Sequence, residues 1–539
     1  MNSPLNIPEL LQRIAFFLPL WERRQGYDLK FLPRDLLSCM LVCRTWRIAM
    51  LPVLWSMYDE SGAEKVTPLE LHRNRRYIRY LYLNGPWLSG IHYPTNLRRL
   101  CISSRALLES AALIQLNPQL IELDVRVDGH FKSIQRGAPL EISLEFSDDS
   151  DDEIGADDEE EVDVRRQKIY TFNDIHLVLE TLSGLRNLTL SYCDLSDLRP
   201  LLEFVRSNPG LTHLTLEGIR VLERPVGYAP LTSVTHLFLP GTPNIGGWQA
   251  CPYLPDLIRL CPNLESLAFA QGQNFDSSEL ARSIRSFCPK LTSIESLNSI
   301  VCLRDCPLSS PAAVELIKSP VRLVHYEVAC SAVTSGMLTA LLQHADSLQA
   351  ICLYVVDDSV ESFTTSGKIL SSFPNLRSFA LNLAPFKRYQ NNGWGFFDQI
   401  WNCPRLERIS LMGYFPWFQD TEELEVVAEA NKGFKTRNTG LDGVSEASGS
   451  TTSDGRGRTG KKPKIVLPER HPASDKKFCE SMAKLGWAYK KEFDPYDLDS
   501  KKKPLTYSTR ATRNKLFERL AHLPHMRDIE LPYVRYVKL

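Results

Sequence analysis

An excess of charge of either sign is missing from this chain: 63 basic and 64 acidic side chains among 539 residues give a formal net charge of −1. That balance argues against a globally basic protein that would bind nucleic acid or an anionic membrane surface. No apolar run is long enough to span a bilayer. The first residues lack a secretory pattern, because Pro8, Glu9 and Arg13 interrupt the one apolar candidate. Thirteen cysteines are present, yet none form CxxC pairs. An odd, scattered count without an export signal points to reduced thiols and a cytoplasmic or nuclear location. Cys302 and Cys306 have no second Cys/His pair at zinc-like spacing nearby, so no metal site is expected. Also missing are GxxxxGK[ST], GxSxG, HExxH and a dinucleotide fingerprint after a strand. No catalytic residue and no cofactor is therefore assigned.

What the chain does have is a repeat. The unit L-x-x-L-x-L appears as Ile78-Leu81-Leu83, Leu97-Leu100-Ile102, Leu120-Leu123-Val125, Leu185-Leu188-Leu190, Leu211-Leu214-Leu216 and Val234-Leu237-Leu239. It continues as Leu264-Leu267-Phe269, Leu323-Tyr326-Val328, Leu348-Ile351-Leu353, Leu376-Phe379-Leu381 and Leu406-Ile409-Leu411. Leu291-Ile294 is a degraded copy with Ser296 in the third place. Most copies lie about 19 to 32 residues apart, the spacing of a leucine-rich repeat. The last two apolar positions alternate as a short strand with one buried face. Between strands, 107–116, 198–206, 278–288, 311–317 and 337–344 read as helices. Asn117-Pro118, Asn208-Pro209, Cys261-Pro262, Cys288-Pro289, Phe373-Pro374 and Cys403-Pro404 each stop a helix before the next strand. The cysteines at these joints read as small buried hydrophobes. The fold class predicted is α/β, as a solenoid of repeats.

Residues 7–55 are different. Leu10, Leu11, Ile14, Phe17 and Leu18 recur at helical spacing behind Pro8. Asp35 is placed to cap a second helix ringed by Leu36, Leu37, Met40, Leu41 and Val42. A third helix runs from about Arg44 through Trp46 to Leu51, with Pro52 just past its end. So much apolar surface on so few residues is hard to bury within one small unit, and a helix surface left over suits a partner groove.

The order Ile7-Pro8-Glu9-Leu10-Leu11, Ile14, Leu18-Pro19, Asp35-Leu36-Leu37, Leu41-Val42-Cys43, Trp46 and Leu54-Trp55 resembles an F-box. It departs from that family in a longer insertion, residues 20–34, between the first two helices. The joints and strands that follow resemble the leucine-rich repeats of F-box proteins, although the family's asparagine or cysteine after the strand appears clearly only as Cys193. The resemblance implies an F-box over 1–58, a repeat solenoid over 59–431 with an acidic insertion at 145–164, a linker over 432–463 and a C-terminal repeat or cap over 464–539. Residues 145–163 carry twelve acidic side chains, enough self-repulsion to predict disorder. Met526-Ile529-Leu531 repeats the strand pattern, and 475–485 and 513–520 read as helices, so the tail is expected to close the solenoid.

The family further implies a non-enzymatic substrate-recognition subunit of an SCF ubiquitin ligase. It would bind a Skp-type adaptor, and through it a cullin, by Pro8, Leu11, Ile14, Leu18, Leu37, Leu41, Val42 and Trp46. A protein target, not nucleic acid or membrane, would meet the free strand face, where His213, Glu217, His236, Phe238, His325 and Glu327 are the candidates. The alternative is a repeat scaffold that directs no degradation.

Overall fold

The computed structural model describes residues 7–18, 21–23, 29–31, 34–60, 66–83, 85, 87 and 91–126, then 170–296 except 192, 196, 219, 222–223, 226, 241, 245–246, 250, 252 and 271–275. It further describes 307–383 except 358, then 396, 399–412, 487–491, 520, 523–531 and 534–538. The acidic insertion, the linker, Cys302, Cys306 and all but Leu520 of the two predicted tail helices lie outside these residues. The chain divides into two compact units, Met1–Cys306 with Lys318–Leu323, and Pro307–Ile317 with Val324–Leu539. No helix among the described residues is long and apolar enough to cross a membrane.

The first unit opens with helix α1 (Pro8–Phe17), strands β1 (Trp21–Arg23) and β2 (Leu29–Phe31), and helices α2 (Arg34–Met40) and α3 (Arg44–Leu54). Strands β1 and β2, both within the insertion, pair antiparallel, Trp21 opposite Phe31. Leu11, Ala15, Leu36, Ala49, Met50 and Val53 form the helical core, with Ile14, Leu18, Met40, Trp46 and Leu54 packed around it. Two expectations need correction. Asp35 lies within the first turn of α2 rather than capping it, where its carboxylate still complements the helix dipole. Pro52 lies inside α3 rather than beyond it. Its ring removes the amide that would bond to the Ile48 carbonyl, and Ile48 is an exposed residue.

The repeats follow. In chain order they are β3 (Met57–Asp59), α4 (Pro68–Asn74), β4 (Tyr80–Leu83), β5 (Arg99–Ser103), α5 (Ser104–Glu109), α6 (Ala111–Gln115), β6 (Glu122–Arg126), β7 (Tyr170–Thr171), α7 (Phe172–Leu179) and β8 (Asn187–Ser191). Then come β9 (Cys193–Leu195), α8 (Arg199–Ser207), β10 (His213–Glu217), β11 (Arg220–Val221), β12 (His236–Leu239), β13 (Thr242–Asn244), β14 (Gly247–Gln249), α9 (Leu254–Arg259), β15 (Ser266–Phe269), α10 (Ser277–Phe287) and β16 (Ser293–Ser296). Strands β3, β4, β5, β6, β8, β10, β12, β15 and β16 lie side by side in that order, all parallel. A smaller parallel sheet, β7-β9-β11, includes the short strands that directly follow β8 and β10.

Register explains why the repeat stacks. Leu81, Leu100, Leu123, Leu188, Leu214, Leu237, Leu267 and Ile294 fall opposite one another and form one buried row. Each buried side chain in such a row contributes about 1.5–3 kcal/mol relative to exposure. The degraded copy keeps its strand, and Ser296 is buried where its neighbours carry larger groups. Asn117 shows what a joint does: its Oδ1 accepts from the Leu97 amide at 2.8 Å, and its Nδ2 donates to the Pro94 and Leu113 carbonyls. One side chain thus satisfies the end of a helix and the start of the preceding strand. Cys261, Cys288 and Cys403 are buried at the equivalent joints, and burial pushes their thiols up to about 12, as expected of hydrophobes. The helix predicted over 107–116 is broken at Ser110, whose buried Oγ accepts the Trp87 amide at 3.2 Å.

The second unit repeats the scheme with α11 (Ser310–Ile317), β17 (His325–Cys330), α12 (Ser335–Leu342), β18 (Ala350–Val355), α13 (Val360–Ser372), β19 (Ser378–Leu383) and β20 (Arg408–Met412). It ends with β21 (Trp487–Lys491), β22 (Asp528–Leu531) and β23 (Val534–Lys538). Strand β22 adds in parallel to β20, with Ile409 opposite Ile529. Met526 and Ile529 are buried, so the tail rejoins the ladder as the sequence pattern implied. Strand β23 then turns back antiparallel on β22, and β21 pairs antiparallel with β23, which ends the parallel run.

Candidate functional site

The candidate side chains lie on a helical surface of the first unit and on the free strand face of each unit. The first is helical. Leu36 turns into the core while Leu37, Leu41 and Val42 stay exposed, the last two at 87% and 63%. Helix α2 is seven residues long, so one inward stripe cannot use all the apolar residues that ring it. Ile7 and Leu10 at the start of α1, and Ile48 on α3, are exposed as well. Of the residues expected at an adaptor face, Pro8, Leu37, Leu41 and Val42 are exposed, and Ile14, Leu18 and Trp46 are half-buried against the core. Leu11 is fully buried and offers nothing to a partner. It is a core residue, because α1 and α3 pack over it. Ile7, Leu10 and Ile48 were not among the expected set. Helical periodicity could have signalled Leu10 and Ile48, whereas only the packing of α1 against α3 distinguishes the outer face from the inner.

The second surface is the free face of the strands. His213 and His236 are register partners on β10 and β12, and their rings stack with centroids 4.0 Å apart and 10° between planes. The Nδ1 of each lies 2.9 Å from the hydroxyl of the threonine before it, Thr212 or Thr235. Burial, then the neighbouring His236, lowers the pKa of His213 below its usual 6.5, so at neutral pH it presents an uncharged imidazole. Glu217 accepts from the Ser191 hydroxyl at 2.9 Å on the adjoining strand. Phe238, expected to be exposed, is half-buried between its strand partners Thr215 and Ala268. His325 and Glu327 belong to the second unit. There His325 Nε2 lies 3.7 Å from Glu327 Oε2, and the Tyr354 hydroxyl donates to Glu327 Oε1 at 3.2 Å. The six residues therefore form two groups, one in each unit.

A third cluster on the same face is closed. Arg126 donates to Asp124 Oδ2 at 3.0 and 2.7 Å, and the Cys101 thiol lies 3.4 Å from that oxygen. Burial and then the Asp124 charge raise the Cys101 pKa well above its ordinary value, so the thiol is held protonated. Burial likewise pushes the Tyr82 phenol up to about 12. Among the described residues no group of three or more His, Cys, Asp or Glu is placed to hold a metal ion. The helical surface presents apolar side chains, and the strand surface presents hydrogen-bonding groups and aromatic rings. No protein-family model and no curated protein matches this chain.

Proposed function

We propose that this chain is the substrate-recognition subunit of an SCF ubiquitin ligase, holding a Skp-type adaptor through α1–α3 and a protein target through the strand face. The observation that carries this reading is the exposure of Leu37 on α2 and of Leu41 and Val42 in the turn after it, beside helices that already share a buried core. Apolar side chains left in water beyond a filled core are most simply accounted for by a partner that covers them. The same helices match the F-box order of residues, and the repeats behind them supply a rigid second surface. Such a subunit works by proximity: it raises the effective concentration of the target beside the ubiquitin-charged enzyme and needs no catalytic residue of its own.

The test is co-purification of the full chain with a Skp-type adaptor. Leu41→Asp should abolish it while leaving the fold intact, because an unpaired charge in an apolar interface costs several kcal/mol. Equal capture by that variant refutes the adaptor site. Loss of a target's ubiquitination in the same variant separates a ligase subunit from a scaffold that directs no degradation.

A further inference from the structure

The strands of the first unit begin on a row of residues that the alternation of buried and free positions does not describe. The Arg79 carbonyl accepts the amides of both Arg98 and Arg99, the Arg98 carbonyl those of Ile121 and Glu122, and the Ile121 carbonyl those of Arg186 and Asn187. These doubled bonds fix Arg79, Arg98, Ile121 and Arg186 as neighbours, one per strand, at the ~4.8 Å ladder spacing. Arg98 and Arg186 are exposed and Arg79 is half-buried. Among the described residues neither Arg98 nor Arg186 takes part in an ion pair, and the joints beside them (Asn96, Gln119, Gly184) bring no carboxylate. The nearest acid in register, Glu122, is matched by Arg99 at 3.4 Å.

The second unit treats the same positions differently. Arg377 and Glu407 are consecutive members of its row and pair at 3.8 Å. The cation there faces an acid at the start of the next strand. In the first unit Arg79 and Arg98 are consecutive, and an uncharged Ile121 separates Arg98 from Arg186. From this contrast we infer that the start of strands β4, β5 and β8 is a docking edge for an acidic segment of a partner protein. Its carboxylates would lie along Arg79, Arg98 and Arg186. A nucleic acid fits less well, because the chain as a whole carries no excess of positive charge to follow a phosphate backbone. The inference stands apart from the ligase reading, since it involves none of α1–α3.

The experiment measures fluorescence anisotropy of a labelled octaglutamate peptide with the full chain at low salt. Octaglutamine and an oligodeoxythymidine of similar charge serve as comparisons. Octaglutamate should bind, weaken as salt rises, and lose about fivefold or more in affinity in an Arg98→Gln/Arg186→Gln chain. Octaglutamine should not bind, and Arg377→Gln in the second unit should change nothing. Residues 145–163 carry twelve acidic side chains that compete for the same cations, so the measurement is repeated on a chain lacking them. Absence of octaglutamate binding in both chains overturns the inference, as does equal binding by the Arg98/Arg186 variant. Tighter binding of the oligonucleotide, lost in that variant, overturns it in favour of a nucleic-acid edge.

Discussion

In the ladder from β4 to β15, Leu81, Leu100, Leu123, Leu188, Leu214, Leu237 and Leu267 are each no more than 3% exposed. In α2, by contrast, Leu36 is buried while Leu37, the next residue, is 45% exposed, and Leu41 in the turn that follows is nearly bare. Both regions are rich in leucine, and the difference lies in geometry. A strand has two faces, so an apolar residue at every second place finds the core each time. A helix as short as α2 turns only part of its surface inward, and apolar residues all round it exceed what its own core can take. In the repeats, therefore, leucine fills the core and the alternate positions stay free. In the helical region leucine falls on both sides, Leu11 and Leu36 inside and Leu37 and Leu41 outside.

The sharpest way to break this comparison is to place a charge on each side of it. Leu11→Asp puts an uncompensated carboxylate in the helical core and should unfold α1–α3, seen as loss of amide protection over residues 8–54. Leu41→Asp should leave that protection unchanged. If both variants keep it, the helical core is misassigned. If both lose it, the exposed face of α2 is structural.

A truncation in the ladder comes next in size. Leu214→Ala removes most of a fully packed side chain between Leu188 and Leu237 and should cost about 2–5 kcal/mol in denaturant unfolding of the first unit. Leu41→Ala, changing the same residue type on the helical surface, should fall within about 0.5 kcal/mol of the parent. Similar losses for the two would erase the contrast between building and docking leucines.

Joints give a smaller effect. Asn117→Ala leaves the Leu97 amide and the Pro94 and Leu113 carbonyls without the partners they have now, all in buried surroundings. The expected cost is about 1–3 kcal/mol, with fraying confined to β5 and α6 by hydrogen exchange. Cys261→Ala, at an equivalent joint where the thiol acts as a small hydrophobe, should cost less than Asn117→Ala.

Much of the strand ladder was legible in the sequence because a period of two leaves a signature that a proline at each joint repeats. The tail was legible for the same reason, since Met526 and Ile529 fall into the pattern across a long gap. What the pattern missed was set by contacts far apart in sequence. The break at Ser110 depends on the amide of Trp87, and Pro52 stays in its helix where Ile48 is exposed. Leu11 on α1 and Leu41 in the turn between α2 and α3 are the same residue type, and only the packing of the helices shows that the first is core and the second exposed. Stacking of His213 on His236 followed from their shared register, whereas the pattern does not show that His325 belongs to the other unit. Arg79, Arg98 and Arg186 escaped notice because they precede the alternating positions, and only the doubled backbone bonds show that they form a row.

The smallest expected effect concerns the strand face alone. His213 is neutral above its lowered pKa, and the unfolded chain, with the ordinary value of 6.5, takes up a proton more readily. The stability linked to this group is therefore complete above about pH 6.5 and is lost as pH falls from there through the folded value. Below that value both states hold the proton and the dependence flattens. The cause is burial first and the stacked His236 second, so His236→Gln should remove only part of the slope, while His213→Gln should remove all that this residue contributes. Thermal unfolding of the full chain between pH 7.5 and 5 measures both. An unchanged slope in His213→Gln would mean that the stacked pair does not couple to folding. The strand face would then respond to acid as any exposed surface does, and the contrast with the helical unit, which has no histidine among its described residues, would vanish in that range.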